Sequence, residues 1–125
     1  MILLVDAHAL LWWLADDPEL DAATARSIAD PANAVVVSAA TVWEIEVKRA
    51  AGRLGAPVDL LDAIRQSGMD TLPITGIDAV TAAGLPMHHG DPFDRMLVAQ
   101  AQRLDALIVS RNLALHAYDV HVLPA

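Results

Sequence analysis

The chain has no cysteine. That excludes disulfide scaffolds and thiolate chemistry. Positive charge is also scarce. Eight Lys and Arg stand against sixteen Asp and Glu, a formal net charge of −8, and Lys48 is the only lysine. A module that grips nucleic acid by phosphate neutralisation alone needs the opposite balance. A metal-dependent nuclease escapes this exclusion, because its site is acidic by necessity and bound cations invert the local field. No apolar run approaches the ~20 residues of a membrane span. The opening Met1-Ile2-Leu3-Leu4-Val5-Asp6 lacks a basic segment and meets an acid too early for a signal peptide, so the expected compartment is the cytoplasm. Repeats, low-complexity segments and linkers are lacking too.

Apolar residues are what the chain has in surplus. They make up 55% of 125 residues, and the mean hydropathy is +0.41. This length suits one domain, residues 1–125, with a fair core. The surplus predicts a surface committed to a partner or to self-association. The negative charge predicts that a protein partner is basic.

Short Val/Ile/Leu runs predict strands near Ile2–Val5, Val35–Val37, Thr71–Ile74, Leu107–Val109 and Val120–Leu123, buried on both faces. Between them, helices are expected over Ala7–Ala15, Asp21–Ala29, Ala39–Ala51, Val58–Gln66, Ile77–Leu85 and Pro92–Leu104, with a short last turn at Leu113–Ala117. Ser38 before Ala39 and Asp91 before Pro92 are strong start signals. Alternating strands and helices predict an α/β fold whose central, mainly parallel sheet has about five short strands flanked by helices in three layers.

Four acids sit at the ends of apolar runs. Asp6 follows the first strand, and Glu44 lies among Val42, Trp43 and Ile45 after the second. Asp91 and Asp94 open the late helix. Each has a structural reading: Asp6 and Asp91 as helix caps, Glu44 as an i,i+4 partner of Lys48, Asp94 as a match for the helix dipole. In an open parallel sheet, however, the rim past the carboxyl ends of the strands is where ligands bind. Carboxylates gathered there repel one another unless a hard cation such as Mg²⁺ or Mn²⁺ lies between them. Ser110 and Asn112 follow the fourth strand and offer a hydroxyl and an amide oxygen, or simply cap the next turn. Lys48, Arg95 and Arg111 are the candidates for guiding a phosphate backbone. His88-His89-Gly90-Asp91 is a poor zinc site, since adjacent histidines point apart. Of the neighbours Trp12 and Trp13, one is expected in the core and one is available as a partner anchor, unless both lie buried between helices.

The segments Leu3-Leu4-Val5-Asp6-Ala7-His8-Ala9, Val37-Ser38-Ala39-Ala40-Thr41-Val42-Trp43-Glu44-Ile45 and His88-His89-Gly90-Asp91-Pro92-Phe93-Asp94-Arg95-Met96-Leu97 occur in this order. With them the chain resembles the PIN-domain family and, within it, the VapC-type ribonuclease toxins of toxin–antitoxin pairs. The resemblance implies a divalent-metal-dependent RNA endonuclease with Asp6, Glu44 and Asp94 as metal ligands. It also implies a homodimer and an antitoxin that carries a DNA-binding domain. A fourth family acid commonly follows the fourth strand after a Thr or Ser. Here Ser110-Arg111-Asn112 places an amide in that position. This departure leaves a second reading open, a PIN-fold interaction module with weakened or silent catalysis.

Overall fold

The structure, a computed structural model, describes all 125 residues from Met1 to Ala125. Its strands are β1 (Ile2–Val5), β2 (Ala34–Ser38), β3 (Asp70–Leu72), β4 (Leu107–Ser110) and β5 (His121–Pro124). Its helices are α1 (Ala7–Leu14), α2 (Ala22–Ala29), α3 (Ala39–Ala50), α4 (Leu60–Gln66), α5 (Gly76–Gly84) and α6 (Pro92–Leu104). The last short turn, Leu113–Ala117, is a 3-10 helix capped by the Asn112 side chain. Asp91 caps α6 with Pro92 at its start, as the sequence predicts, and α3 ends before Gly52 at φ +71°.

All five strands are parallel, in the order β3-β2-β1-β4-β5. Successive residues of a strand point their side chains to opposite faces of the sheet, and β1 divides accordingly. Leu3 and Val5 enter one core with Val35, Val37, Ile45 and Val109. Leu4 enters the other with Ile108, Leu97, Val98 and Ala101. Helices therefore cover both faces, giving the three layers expected.

Two expectations need correction. The third strand spans Asp70–Leu72 rather than Thr71–Ile74, and Pro73, which has no N–H for the ladder, stops it. Burial on both faces holds only for the inner strands. β3 and β5 are edge strands with exposed positions, because each has a neighbour on one side only.

The order reverses between β1 and β4. From β1 the chain moves outward to β2 and β3, and from β4 it moves outward the other way to β5. The carboxyl ends of β1 and β4 thus border the switch-point crevice where ligands of such sheets bind.

A buried network on α5 and α6 fixes the helical layer beside that crevice. Asp78 is only 1% exposed. It closes a capping box with Thr75, and the Arg103 guanidinium grips it at 2.6 and 3.0 Å. The Arg103 bonds, opposed by burial and helped by Thr75 and Gln100, hold the Asp78 carboxyl down at about 2, against 3.8 unperturbed. With the folded-state value lowered, the pair's stabilisation is complete above 3.8 and is lost as pH falls through about 2. Asp78→Asn should therefore lower neutral stability by roughly 3 kcal/mol and flatten the acid limb of the stability curve. Urea unfolding followed by circular dichroism between neutral and strongly acidic pH checks this, and an unchanged acid limb contradicts it.

Candidate functional site

Asp6 is the residue after β1, and its N–H continues the sheet by donating to the Val109 carbonyl at 3.0 Å. Its side chain then accepts from the Ala9 N–H at 2.9 Å, so it caps α1 as well. The cap does not use up the carboxylate. The second oxygen accepts from the Ser110 hydroxyl at 2.5 Å. Ser110 ends β4 across the switch point, so the hydroxyl ties the two strand ends together. Burial pushes the Asp6 carboxyl up from its ordinary value, and the charge of Asp94 adds to the push. The bonds from Ser110 and Ala9, and the nearby His8, oppose it.

Ser38 ends β2 and caps α3 by accepting from Ala40 at 3.0 Å. One and a half turns into α3, Glu44 is 9% exposed. A buried glutamate needs a cation or strong donors, and Lys48 at 2.9 Å supplies one. Glu46 points to solvent and pairs with Arg49, as its place on the other side of α3 predicts.

The start of α6 brings the last two acids. One Asp91 oxygen accepts from the N–H groups of Phe93 (2.8 Å) and Asp94 (3.3 Å). One Asp94 oxygen contacts His89 Nε2 at 2.8 Å and accepts from the Asn112 amide at 2.9 Å. Asn112 therefore faces the acids as a donor through Nδ2, while its Oδ1 caps Ala114.

Asp6, Glu44, Asp91 and Asp94 line a single cleft of about 450 Å³. Lys48, Arg111 and Asn112 line it too. Ser110 acts from behind through Asp6. Four carboxylates meet two cations there, and Arg111 is already paired with Glu19 at 2.5 Å. The tightest ligand group is His89, Asp91 and Asp94, whose ligand atoms lie within 4.8 Å of one another. Asp6 and Glu44 face the same cleft but stand outside that triad. The donor set fits a hard divalent cation: it is rich in carboxylate oxygen, and burial and a like charge both penalise Asp6. Mg²⁺ keeps several waters of its own, so acids spread around a cleft suit it better than a closed cage.

One predicted phosphate contact is wrong. Arg95 is 6% exposed and does not line the cleft. Its guanidinium donates to the carbonyls of Leu85 (2.9 Å), Pro86 (3.0 Å), Ala83 (3.3 Å) and His89 (3.3 Å), and to the Tyr118 hydroxyl (3.2 Å). No carboxylate pairs with it. The carbonyls at the end of α5 carry the negative end of that helix's dipole, which is why they hold a cation. Arg95 staples α5 and the loop after it to α6.

Sequence reasoning missed His8, Trp12 as a cleft residue, and His89. The first two had a visible signal, an i,i+4 spacing on the helix that Asp6 caps. His89 had none, because only the Arg95–Tyr118 clamp on its backbone brings its ring to Asp94. Its neighbour His88 turns away onto the Tyr118 ring, 5.2 Å between centroids. Neither Trp12 nor Trp13 is fully buried; both are half-buried against the larger core.

Comparison with known proteins bears on the fold and the family. Ribonuclease VapC22 of Mycobacterium tuberculosis is 28% identical over 118 residues, covering 92% of this chain and 90% of that protein. Among solved structures, VapBC2 from Rickettsia felis bound to a promoter DNA fragment superposes with a TM-score of 0.69 at 12% identity, covering 99% of this chain and 98% of that one. DNA-bound VapBC from Salmonella typhimurium superposes with a TM-score of 0.68 at 17% identity, with the same coverage. At these identities the two superpositions establish the fold alone. The PIN domain pattern matches residues 3–120, and the chain belongs to the PIN domain family.

Proposed function

We propose that this protein is a divalent-metal-dependent endoribonuclease and the toxin of a toxin–antitoxin pair. The observation that carries the reading is the convergence of Asp6, Glu44, Asp91 and Asp94 on one cleft at the switch point of the sheet. The likeness to Ribonuclease VapC22 supports RNA as the substrate.

Asp6, Glu44 and Asp94 would hold the ion, with Asp91 beside them in the cleft. Mg²⁺ or Mn²⁺ held there would supply activation of water and neutralisation of charge on the phosphoryl oxygens. The chain's own groups set the geometry. Ser110 and the Ala9 N–H fix both oxygens of Asp6. His89 and Asn112 fix one oxygen of Asp94 and leave the other to the cleft. Lys48 and Arg111 flank the acids as positive charge for the RNA backbone. No protein nucleophile is required, and the products are a 5′ phosphate and a 3′ hydroxyl.

The partner is a basic antitoxin, and the chain acts as a homodimer. Exposed apolar residues support a surface held for protein contact, among them Ile77 at 73% and Val80 at 76% on one face of α5. Purified protein should cleave RNA in Mn²⁺ or Mg²⁺ and stop on chelation. Cleavage that continues in excess chelator sinks the metal-dependent reading.

The Asn112 amide supports a second reading, a catalytically weakened or silent module. An aspartate there would add a ligand, whereas Asn112 donates a hydrogen bond to Asp94. Calorimetric titration with Mn²⁺ separates the two. Binding that disappears in Glu44→Gln favours the nuclease, and absence of binding in the parent favours the silent module.

A further inference from the structure

The two cations of the cleft are not equivalent. Arg111 donates to the Glu19 carboxylate, the Glu19 carbonyl and the Ala125 carbonyl, so its charge is matched and its fork engaged. Lys48, the chain's only lysine, has one partner, Glu44 Oε2 at 2.9 Å. Oppositely charged neighbours on a helix surface are ordinary, and Arg49–Glu46 on α3 is such a pair. Lys48–Glu44 differs in place. Both residues line the cleft with Asp6, Asp91 and Asp94, and the Glu44 side chain is 11% exposed against 48% for Glu46. Lys48 is therefore the one cation of the cleft whose charge answers the acids there.

The three proposed metal ligands are braced by different kinds of partner. Asp6 is held by a hydroxyl and a backbone N–H, and Asp94 by an amide and an imidazole. Glu44 alone is held by an ammonium, carried on a flexible stem that can swing away. A hydroxyl or an amide beside an ion orients a ligand at little electrostatic cost. An ammonium bonded to one oxygen of a carboxylate stands close to any cation on the other oxygen. Two positive groups so placed repel, and a partly buried setting screens them less than open water does. Lys48 thus stabilises the empty cleft and opposes the ion that fills it. A phosphodiester carries the negative charge that relieves this conflict, because an ammonium released from Glu44 can donate to a phosphate oxygen instead.

We propose that Lys48 is a tethered stand-in for the metal. Its ammonium neutralises Glu44 in the metal-free cleft, yields the carboxylate to the ion, and moves onto a phosphate oxygen of the RNA. The proposal rests on the nuclease reading above and deepens it. Its consequence is cooperativity: the free protein holds divalent metal weakly, and substrate tightens it. By linkage, metal tightens RNA binding by the same factor.

The test titrates Mn²⁺ calorimetrically into the parent, Lys48→Met and Lys48→Arg. Lys48→Met keeps a straight side chain with good helix preference and lacks the charge, and it should bind Mn²⁺ roughly tenfold more tightly than the parent. Lys48→Arg keeps the charge and should stay within about threefold of the parent. If Lys48 only braces Glu44 as a ligand, the sign reverses, because a glutamate freed from its partner holds the ion less well. Weaker Mn²⁺ binding by Lys48→Met therefore overturns the proposal. Anisotropy of a short fluorescein-labelled RNA, in chelator and in Ca²⁺, reads the coupling. Ca²⁺ should tighten RNA binding by the parent at least about fivefold more than it does for Lys48→Met. Equal tightening overturns the exchange. Cleavage of total RNA in Mn²⁺, run alongside, separates the two readings. Mn²⁺ affinity alike in parent and Lys48→Met, with RNA still cleaved, sinks the role of Lys48 alone. Absence of Mn²⁺ binding and of cleavage in all three proteins sinks the nuclease reading and this proposal with it.

Discussion

Asp6→Asn should abolish RNA cleavage and leave the metal-free protein as stable as its parent or more so. The expected loss of rate is on the order of 10³-fold, equivalent to ~4 kcal/mol of transition-state stabilisation. The stability half of the result is the more diagnostic. Burial and the Asp94 charge both raise the Asp6 carboxyl, so its ionised form is a burden on the fold at neutral pH. That burden is present above the raised folded-state value and fades as pH falls through it towards 3.8. An asparagine keeps an oxygen for the Ala9 N–H and carries no charge. Stability given up at a binding residue is a common cost of function. Divalent metal should reverse the order, stabilising the parent and not the variant. Thermal melts of both proteins with and without Mn²⁺, beside a cleavage assay, check the whole pattern. Asp94→Asn should show the same loss of cleavage. A variant that still cuts RNA at ordinary metal levels rules Asp6 out as a ligand.

Arg95→Ala should cause the largest loss of stability of any single change considered. The side chain is buried, carries a full charge and serves five oxygen acceptors. Truncation removes a donor from four backbone carbonyls, of which Pro86 and His89 keep another, and opens a cavity between α5 and α6. The cost is about 3–4 kcal/mol, which lowers the melting temperature by roughly 10 °C. Arg95→Lys should recover little, because one ammonium cannot span the acceptors that a planar fork reaches. RNA affinity of the folded fraction should stay at the parent value, since the guanidinium does not reach the cleft. A variant that melts like the parent but binds RNA weakly reverses this assignment and restores Arg95 as a backbone contact.

The fold was legible because the two periodic signals agreed. Val, Ile and Leu runs marked the strands, and cap residues marked the helix starts, so Asp91-Pro92 located the beginning of α6 correctly. The order of strands was another matter. Nothing local in β4 says that it pairs with β1, and that pairing creates the switch point. The acids were legible for a related reason. Asp6, Glu44 and Asp94 follow strand or cap signals, so chain position alone puts them near the rim. Charges read as surface groups were less secure. The sequence offers Arg95 as a phosphate contact, yet it sits three and four residues before Val98 and Ala99, on the buried face of α6. Helical spacing held that information, and a bias against burying arginine hid it. Asn112 was legible as a departure but not in its effect, because only the folded chain shows its amide turned on Asp94. Loop geometry accounts for His89 in the same way.

Diffraction at the manganese absorption edge, from crystals grown with Mn²⁺, tests the central claim most directly. The account predicts an anomalous peak in the cleft among Asp6, Glu44 and Asp94, absent from crystals of Asp6→Asn. A cleft without a peak contradicts it, and so does an ion held by His89 and Asp91 that has no contact, direct or through water, with Asp6.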